Sequence, residues 1–233
     1  MSSNHAMIEG LEGRKLLAAS AELIGQVLFV RGDVLAANEI EVENNGSDPT
    51  KVDVKVTYTP RGGSKVVFEK QFNAADFVLL KVRGGIRGDV ITIGDSSNPY
   101  TGNTRINGVS GNDTINGGAG SDRIAGGRGN DLIYGNGGHD RLHGEDGTDS
   151  LFGGDGDDVL WGGRGNDLID GGAGNDVLGG VLGDGNTLTG GLGRDRFIIK
   201  DGGQAQATDF DSNEDLFVVV GTGRGDIITP PTA

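Results

Sequence analysis

The sequence predicts an all-β protein built as a parallel β-solenoid, and three observations lead to this prediction. From residue 108 the chain repeats a nine-residue unit, Gly-Gly-x-Gly-x-Asp-x-U-x, in which U is an aliphatic residue. The sixth position is Asp and the eighth is Ile or Leu in eight successive units. The x-U-x residues form a short strand with one side chain inward, because strand side chains alternate between faces. One turn and one strand make half a coil, so two units complete a coil.

The repeat also arranges carboxylates in columns. Every second turn stacks on the same edge of the solenoid, and calcium accepts carboxylate and carbonyl oxygens alike. Glycine supplies the turn conformations and leaves the backbone carbonyls uncovered. We therefore expect several Ca²⁺ ions, each between one turn and the next on its own edge. One edge carries Asp113, Asp131, Asp149 and Asp167, and the other carries Asp122, Asp140, Asp158 and Asp176.

These units resemble the RTX, or haemolysin-type calcium-binding, nonapeptide repeat. The resemblance implies a parallel β-roll that folds on binding calcium in a secreted protein. It implies side-chain ligands from the eight aspartates above and from Asp195, where a later unit recovers the pattern. It also implies carbonyl ligands from turn positions one and three, namely Gly117, Ala119, Gly126, Arg128, Gly162, Arg164, Gly171 and Ala173. The alternative, a disordered glycine-rich linker, would not keep an aliphatic residue at every ninth position.

Composition favours folding that depends on calcium. The chain has 46 glycines, a net charge of −14 and 34% hydrophobic residues, whereas roughly 45–50% is typical of globular domains. Ordering glycine and stacking carboxylates about 5 Å apart both oppose folding without metal. We expect affinities on the order of 10⁻⁴ to 10⁻³ M per site. Micromolar cytosolic calcium would then leave the chain empty, so secretion before folding is expected.

Four regions are predicted: an N-terminal tail (1–21), a β-rich capping region (22–93), the calcium-binding roll (94–198) and a C-terminal cap (199–233). Residues 22–93 contain about six segments of strand character, and an independent β-sandwich is the alternative for them. Repeat proteins need atypical end units to cover the last coil. In the C-terminal cap, Asp209, Asp211 and Asp215 could hold one more ion or could be solvated loop acids.

Some units depart from the repeat. Asn136 and Glu145 replace the second glycine, so strain or weaker coordination is expected in those two turns. Thr104 and Asn186 stand at the sixth position of flanking units. We expect these units to continue the coil with weak or absent metal sites.

The expected function is that of a secreted, extracellular or cell-surface calcium-binding protein rather than an enzyme. The chain has no His-Glu-x-x-His, Gly-x-Ser-x-Gly or phosphate-loop motif and no cysteine. Its negative charge argues against a nucleic-acid partner, and no stretch approaches the roughly 20 apolar residues of a membrane span. The alternatives are a C-terminal export and stabilisation module of a secreted enzyme or toxin, and a surface adhesin or assembly component. The outward Tyr134 and Phe152, and Trp161 on the other sheet, are interpreted as cross-strand ladders or as a surface for a protein partner or second copy.

Overall fold

Short β-strands follow one another along almost the whole described chain. The computed structural model describes residues 19–60, 63–94, 99–181, 184–200, 204–220 and 227–229, so most of the predicted N-terminal tail lies outside the described residues. The one helix in this part of the chain is a single 3₁₀ turn, Ala74–Asp76, and no helix found there could cross a membrane. The strands are β1 (Ser20–Ile24), β2 (Val27–Arg31), β3 (Asn38–Asn45), β4 (Asp48–Tyr58), β5 (Val66–Asn73), β6 (Leu79–Arg83), β7 (Val90–Ile93), β8 (Thr104–Ser110), β9 (Thr114–Gly118), β10 (Arg123–Arg128), β11 (Leu132–Gly137), β12 (Arg141–Asp146), β13 (Ser150–Asp155), β14 (Val159–Arg164), β15 (Leu168–Ala173), β16 (Val177–Val181), β17 (Asp184–Leu192), β18 (Arg196–Lys200), β19 (Gln204–Ala207), β20 (Leu216–Val220) and β21 (Ile227–Thr229).

The strands form two sheets that face each other across the core. The first has ten strands in the order β1-β2-β6-β8-β10-β12-β14-β16-β18-β20, and the second has eleven in the order β21-β19-β17-β15-β13-β11-β9-β7-β3-β4-β5. From β6 onward successive strands alternate between the sheets and pair in parallel with the strand two places along. In the repeat region the partners lie 18 residues apart, as in Ile133 with Leu151 and Leu142 with Leu160. The predicted all-β fold, a parallel solenoid of two units per coil, is confirmed.

A single column of aliphatic side chains from each sheet fills the roll. The middle residue of each x-U-x strand points inward, and these residues are at most 2% exposed. Because each unit contributes only one such side chain, the hydrophobic core is narrow and the turns make up much of the structure. The eight residues are Ile115, Ile124, Ile133, Leu142, Leu151, Leu160, Ile169 and Leu178.

The N-terminal strands are coils of the same solenoid. Strands β2 and β6 extend the first sheet in parallel, and β3 and β7 extend the second. Their inward residues, such as Leu28, Ile40 and Leu80, belong to the same core cluster as those of the roll. Antiparallel strands then close both sheets, β1 on β2 and the β4–β5 hairpin on β3. The stacking of coils therefore begins before residue 94, within the region predicted to cap the roll.

Aromatic residues replace the aliphatic column at the C-terminal end. Phe197 is fully buried, and its ring centroid lies 5.2 Å from that of Phe217 and 5.9 Å from that of Phe210. Phe210 and Phe217 also contact each other, with centroids 4.5 Å apart. Three rings fill more volume than the single aliphatic side chain of a repeat. This cluster therefore widens the core where the described strands of the roll end.

The outward aromatic residues occupy the sheet positions that the repeat predicts. Tyr134 and Phe152 are paired in register on β11 and β13, and their rings stack with centroids 5.0 Å apart and planes 14° apart. On the other sheet His143 of β12 is paired with Trp161 of β14. Stacking between neighbouring strands stabilises the sheet face. A role for these side chains in association stays a prediction.

Candidate metal centre

The turns are built from residues with left-handed backbone. In a turn such as 126–131 the glycines at the second and fourth positions, Gly127 and Gly129, have φ of 117° and 120°. Three residues that replace a second glycine, Val109, Asn136 and Glu145, also have left-handed backbone, with φ of 90°, 76° and 79°. Asn visits this region more readily than Glu. A non-glycine residue held there costs about 1–3 kcal/mol, which the rest of the roll must offset.

The sixth-position aspartates form a hydrogen-bonded ladder along each edge. All nine, from Asp113 to Asp195, are at most 3% exposed. The Oδ1 atom of each accepts a hydrogen bond from the backbone N–H of the residue at the same position one coil earlier. The distance is 2.8 Å from Asp131 N to Asp149 Oδ1 and 2.7 Å from Asp140 N to Asp158 Oδ1. One oxygen of each carboxylate is thus held in place by the backbone.

The second carboxylate oxygen has no hydrogen-bond partner. Among the described residues this holds for Oδ2 of eight aspartates, and each of these atoms is buried. An ionised oxygen buried without a partner is strongly unfavourable, so such groups bind a cation or take up a proton. The eight are Asp113, Asp122, Asp131, Asp140, Asp149, Asp158, Asp167 and Asp176.

A small oxygen-lined space lies beside the first glycine of several turns. A methyl carbon built on Gly153 would overlap both Oδ2 of Asp158 and the carbonyl oxygen of Gly171 in the next coil. The same overlap occurs at Gly144 with Asp149 and the carbonyl of Gly162. Carboxylate and carbonyl oxygens from adjacent coils therefore converge where glycine leaves room. Oxygen donors of these two kinds are the ones that calcium prefers, so the residues fit a calcium ion.

The structure places the predicted carbonyl ligands in two different environments. The carbonyls of Gly126, Gly162 and Gly171 lie beside the orphaned Oδ2 atoms of Asp113, Asp149 and Asp158. The third-position carbonyls of Arg128, Arg164 and Ala173 accept backbone hydrogen bonds of 2.7–2.9 Å from Gly111, Gly147 and Gly156, and Ala119 donates its own N–H to the carbonyl of Tyr100. In the described ranges no three His, Cys, Asp or Glu side chains converge. A cation bound in these turns would therefore need backbone carbonyl oxygens as ligands in addition to the few carboxylates nearby.

Burial makes these aspartates weak acids. Burial raises the pKa of Asp158 from the ordinary value of 3.8 to about 7; the N–H of Asp140 opposes this shift and the neighbouring carboxylate of Asp140 adds to it. Burial also raises the pKa of Asp131 and Asp167. The residues whose pKa burial raises to about 7 are Asp113, Asp122, Asp140, Asp149, Asp158 and Asp176.

These pKa shifts predict that the metal-free roll is more stable in acid. An aspartate whose pKa is about 7 in the fold and about 3.9 unfolded binds more protons when folded, so its contribution is present below about pH 4 and is lost as the pH rises towards about 7. We expect the far-UV circular dichroism of EDTA-treated protein to show more β-sheet at about pH 5 than at about pH 8. With saturating calcium the order should reverse, because calcium needs the ionised carboxylate. A metal-free roll that gains β-sheet as the pH rises would contradict this prediction.

The ladders extend beyond the aspartates that the repeat identifies. The N–H of Asp89 donates to Oδ1 of Asp113 at 2.7 Å, and the N–H of Asn38 donates to Oδ1 of Asp89 at 2.6 Å. The second oxygen of Asp89 accepts the N–H of Gly85, so both of its oxygens are paired. The repeat-like passage 84–92 could have identified Asp89. No sequence signal marks Asn38, which reaches this edge only through the pairing of β3 with β7.

At the other end, the three acids of the C-terminal cap bond to the backbone. Asp215 Oδ1 accepts the N–H of Asp195 at 2.9 Å, and its Oδ2 accepts the N–H of Asp211 at 2.8 Å. Asp209 accepts the N–H groups of Gly190 and Gly191 at 2.8 and 2.7 Å. The flanking residue Asn186 also continues a ladder, since its Oδ1 accepts the N–H of Asp167 at 2.8 Å. Near the C-terminal end these side-chain oxygens therefore accept hydrogen bonds from the backbone, as the aspartates of the ladders do.

Comparison with known proteins agrees with this geometry. A family model described as the RTX calcium-binding nonapeptide repeat, in four copies, matches residues 100–133, 117–151 and 143–178. No curated protein and no solved structure matches the chain. The matched ranges contain all eight aspartates that have an orphaned carboxylate oxygen. Residues 100–178, which carry the repeat, the ladders and the oxygen-lined turns, are therefore similar to the RTX calcium-binding nonapeptide repeat family.

Proposed function

We propose that this is a secreted calcium-binding repeat protein, structural rather than catalytic, that folds as several Ca²⁺ ions bind between its stacked turns. The observation that carries the proposal is the orphaned Oδ2 of eight buried aspartates. Each ladder hydrogen bond holds one carboxylate oxygen and presents the other to the space beside a first-position glycine. A divalent cation in that space would supply the missing positive charge.

The ligands would come from both coils that border each space. We assign the carboxylates to the eight aspartates, and to Asp195, which continues the same ladder. First-position carbonyls such as those of Gly126, Gly162 and Gly171 lie beside these carboxylates. Third-position carbonyls have a second lone pair available beyond their one backbone hydrogen bond. The further carbonyl ligands are Gly117, Ala119, Arg128, Arg164 and Ala173.

Folding and metal binding would be coupled by electrostatics. At neutral pH the metal-free fold must either protonate its buried aspartates or keep ionised oxygens without partners, and both states oppose folding. A ligand that binds only the folded chain stabilises it in proportion to the logarithm of its concentration. With affinities on the order of 10⁻⁴ to 10⁻³ M, as in extracellular calcium modules, the chain would fold only where calcium is abundant. This supports an extracellular or cell-surface location.

The two ends would protect the roll. Antiparallel strands border the sheets at the N-terminal end, and the Phe197 cluster fills the C-terminal coils. Solenoids need such atypical ends because an exposed last coil offers unpaired backbone to other chains. We assign residues 22–93 and 199–233 to these capping roles, with the calcium-binding roll between them.

The proposal is tested by neutralising one buried carboxylate. In the Asp158→Asn variant the amide oxygen can still accept the Asp140 N–H, as Asn186 does for Asp167. We expect the calcium concentration needed for folding to rise, because a candidate ligand loses its charge. We expect a smaller effect on the metal-free chain, because an unpaired carboxylate oxygen is exchanged for an amide Nδ2 that is unpaired too, as in Asn186. Circular dichroism measures the first effect during CaCl₂ titration, and the second as the β-sheet signal that remains in EDTA.

The adjacent Asp157→Asn variant is the matched control. Asp157 is exposed, and its Oδ1 accepts the backbone N–H and the side-chain Nδ2 of Asn175 at 2.8 and 3.0 Å. An asparagine oxygen can accept the same backbone hydrogen bond, so the calcium response should stay close to that of the unmodified protein. If Asp158→Asn and Asp157→Asn respond to calcium alike, the sixth-position carboxylates are not the ligands and the proposal fails.

A further inference from the structure

The outer face of the ten-stranded sheet carries an unbroken row of basic side chains. Lys81, Arg105, Arg123 and Arg141 are paired in register on β6, β8, β10 and β12. Arg31 and Arg83, paired on β2 and β6, stand beside the start of this row. We call these six residues the basic face. Neighbouring strands are about 4.8 Å apart, so the row of four spans about 14 Å along the solenoid.

No acidic partner of the basic face is found in the part of the chain that the structure describes. The three ion pairs among the described residues, Lys55 with Glu41 and both Arg128 and Arg164 with Asp146, involve none of the six. All but the half-buried Lys81 are exposed. The two outward columns that contain them carry no Asp or Glu from β2 to β14. A chain with a net charge of −14 thus concentrates uncompensated positive charge on one face, which attracts anions.

A shallow groove runs along the basic face. Its volume is about 470 Å³, and its lining includes Arg31, Lys81, Arg83, Arg105 and Arg123. One aromatic residue, Phe29, also lines it. Lys81 Nζ lies 5.1 Å and Arg31 Cζ 5.9 Å from the centre of the Phe29 ring. Both cations therefore lie within cation–π distance of the ring.

The spacing of the charges indicates the kind of anion. A regular row with about one cation per strand spacing matches a linear polymer that carries one anionic group on each repeating unit. Arginine suits carboxylate and sulfate groups because its planar guanidinium can donate two parallel hydrogen bonds. Duplex DNA carries one charge per about 1.7 Å, which is too dense for this row. Single-stranded nucleic acids are bound by stacking successive bases on aromatic side chains, and Phe29 is the one aromatic residue that lines the groove.

We propose that the basic face binds a linear anionic polysaccharide, with carboxylate or sulfate groups, aligned along the solenoid axis. Lys81, Arg105, Arg123 and Arg141 would contact successive sugar units. Arg31 and Arg83, on β2 and β6, would add two further positive charges to the site beside Lys81. This site is separate from the turns that bear the aspartates, because it lies on the sheet face.

Calorimetric titration of the full chain in excess CaCl₂ tests the proposal. The probes are an oligogalacturonate, a dextran sulfate oligosaccharide, a neutral dextran oligosaccharide and an oligothymidylate. We expect binding to one or both anionic sugars, no binding to neutral dextran, and strong weakening by salt as the Debye length falls from about 10 Å at 0.1 M to about 3 Å at 1 M. The first two probes distinguish a carboxylate from a sulfate ligand. Failure of both to bind at low ionic strength, or tighter binding of oligothymidylate, would overturn the proposal.

Charge-neutral variants locate the site. Replacing Arg105 and Arg123 together with Gln should weaken binding about 2- to 30-fold, the effect of losing two exposed charge pairs. Arg196→Gln is the matched control, because Arg196 is an exposed residue in the same outward column but lies between Val177 and Leu216, outside the basic face. Circular dichroism of each sample separates loss of folding from loss of binding. If the double variant does not fold, Arg141→Gln replaces it; equal binding by the unmodified protein and the folded variant would contradict the proposal.

Discussion

Removing calcium with EDTA at neutral pH should abolish most of the β-sheet circular dichroism of this protein, and CaCl₂ should restore it cooperatively. Eight buried aspartates have an oxygen without a partner, and burial raises the pKa of six of them to about 7. Metal-free folding must therefore bury charge or take up protons. We expect a midpoint on the order of 10⁻⁴ to 10⁻³ M calcium.

Magnesium is the control for this titration. Mg²⁺ demands near-ideal octahedral geometry and gives up its water reluctantly, so a site built from backbone carbonyls and few carboxylates should prefer calcium. We expect MgCl₂ at the same concentrations to restore little β-sheet. A chain that is already fully β-structured in EDTA at neutral pH, with no response to calcium, would show that the roll folds without metal.

The Gly153→Ala substitution should disrupt the roll strongly. Its methyl group would overlap Oδ2 of Asp158 and the carbonyl oxygen of Gly171, the two oxygens that converge between adjacent coils. Overpacking alone costs about 1–3 kcal/mol, and the blocked space would also exclude a cation. We expect a lower urea midpoint in saturating calcium and fewer calcium ions bound per chain, measured by equilibrium unfolding and calorimetry.

Gly137→Ala provides the matched control in a neighbouring turn. The nearest atom to its added methyl group would be Cα of Ala119 at 3.8 Å, an ordinary contact, and Gly137 does not have a positive φ. Replacing glycine by alanine where the backbone permits it stabilises by about 0.4–1 kcal/mol through the unfolded chain. We expect unchanged calcium binding and equal or slightly higher stability. Equal loss of stability in both variants would mean that alanine is generally harmful in these turns and that the space beside Gly153 has no special role.

The repeat period was enough to predict the roll and its candidate ligands. Aliphatic residues at every ninth position, such as Ile133 and Leu142, can all be inward only if each unit contributes one strand to a regular coil. The same period brings Asp131 and Asp149 to the same edge, which the hydrogen bond between them shows. Local periodicity therefore determined the fold class, the core and the aspartate columns.

Only the tertiary structure shows that oxygen atoms at similar places in the repeat have different partners. Sequence reasoning treats first- and third-position carbonyls alike, yet the carbonyl of Gly171 lies beside an orphaned carboxylate oxygen and that of Ala173 accepts a backbone hydrogen bond. Likewise only the stacked coils show that Oδ1 of Asp158 accepts a hydrogen bond whereas Oδ2 has no partner. These distinctions depend on the stacking of one coil on the next, which no single unit contains.

By itself the sequence determined the coil, its inward aliphatic residues and the two edges of aspartates, because these follow from a fixed period. The tertiary structure alone decided how the ladders end and which outward side chains meet. Asn38 joins an edge through strand pairing across 51 residues, and Lys81 lies beside Arg105 although they are 24 residues apart. Connections of irregular length break the period outside the repeats, and there backbone pairing between strands sets the register.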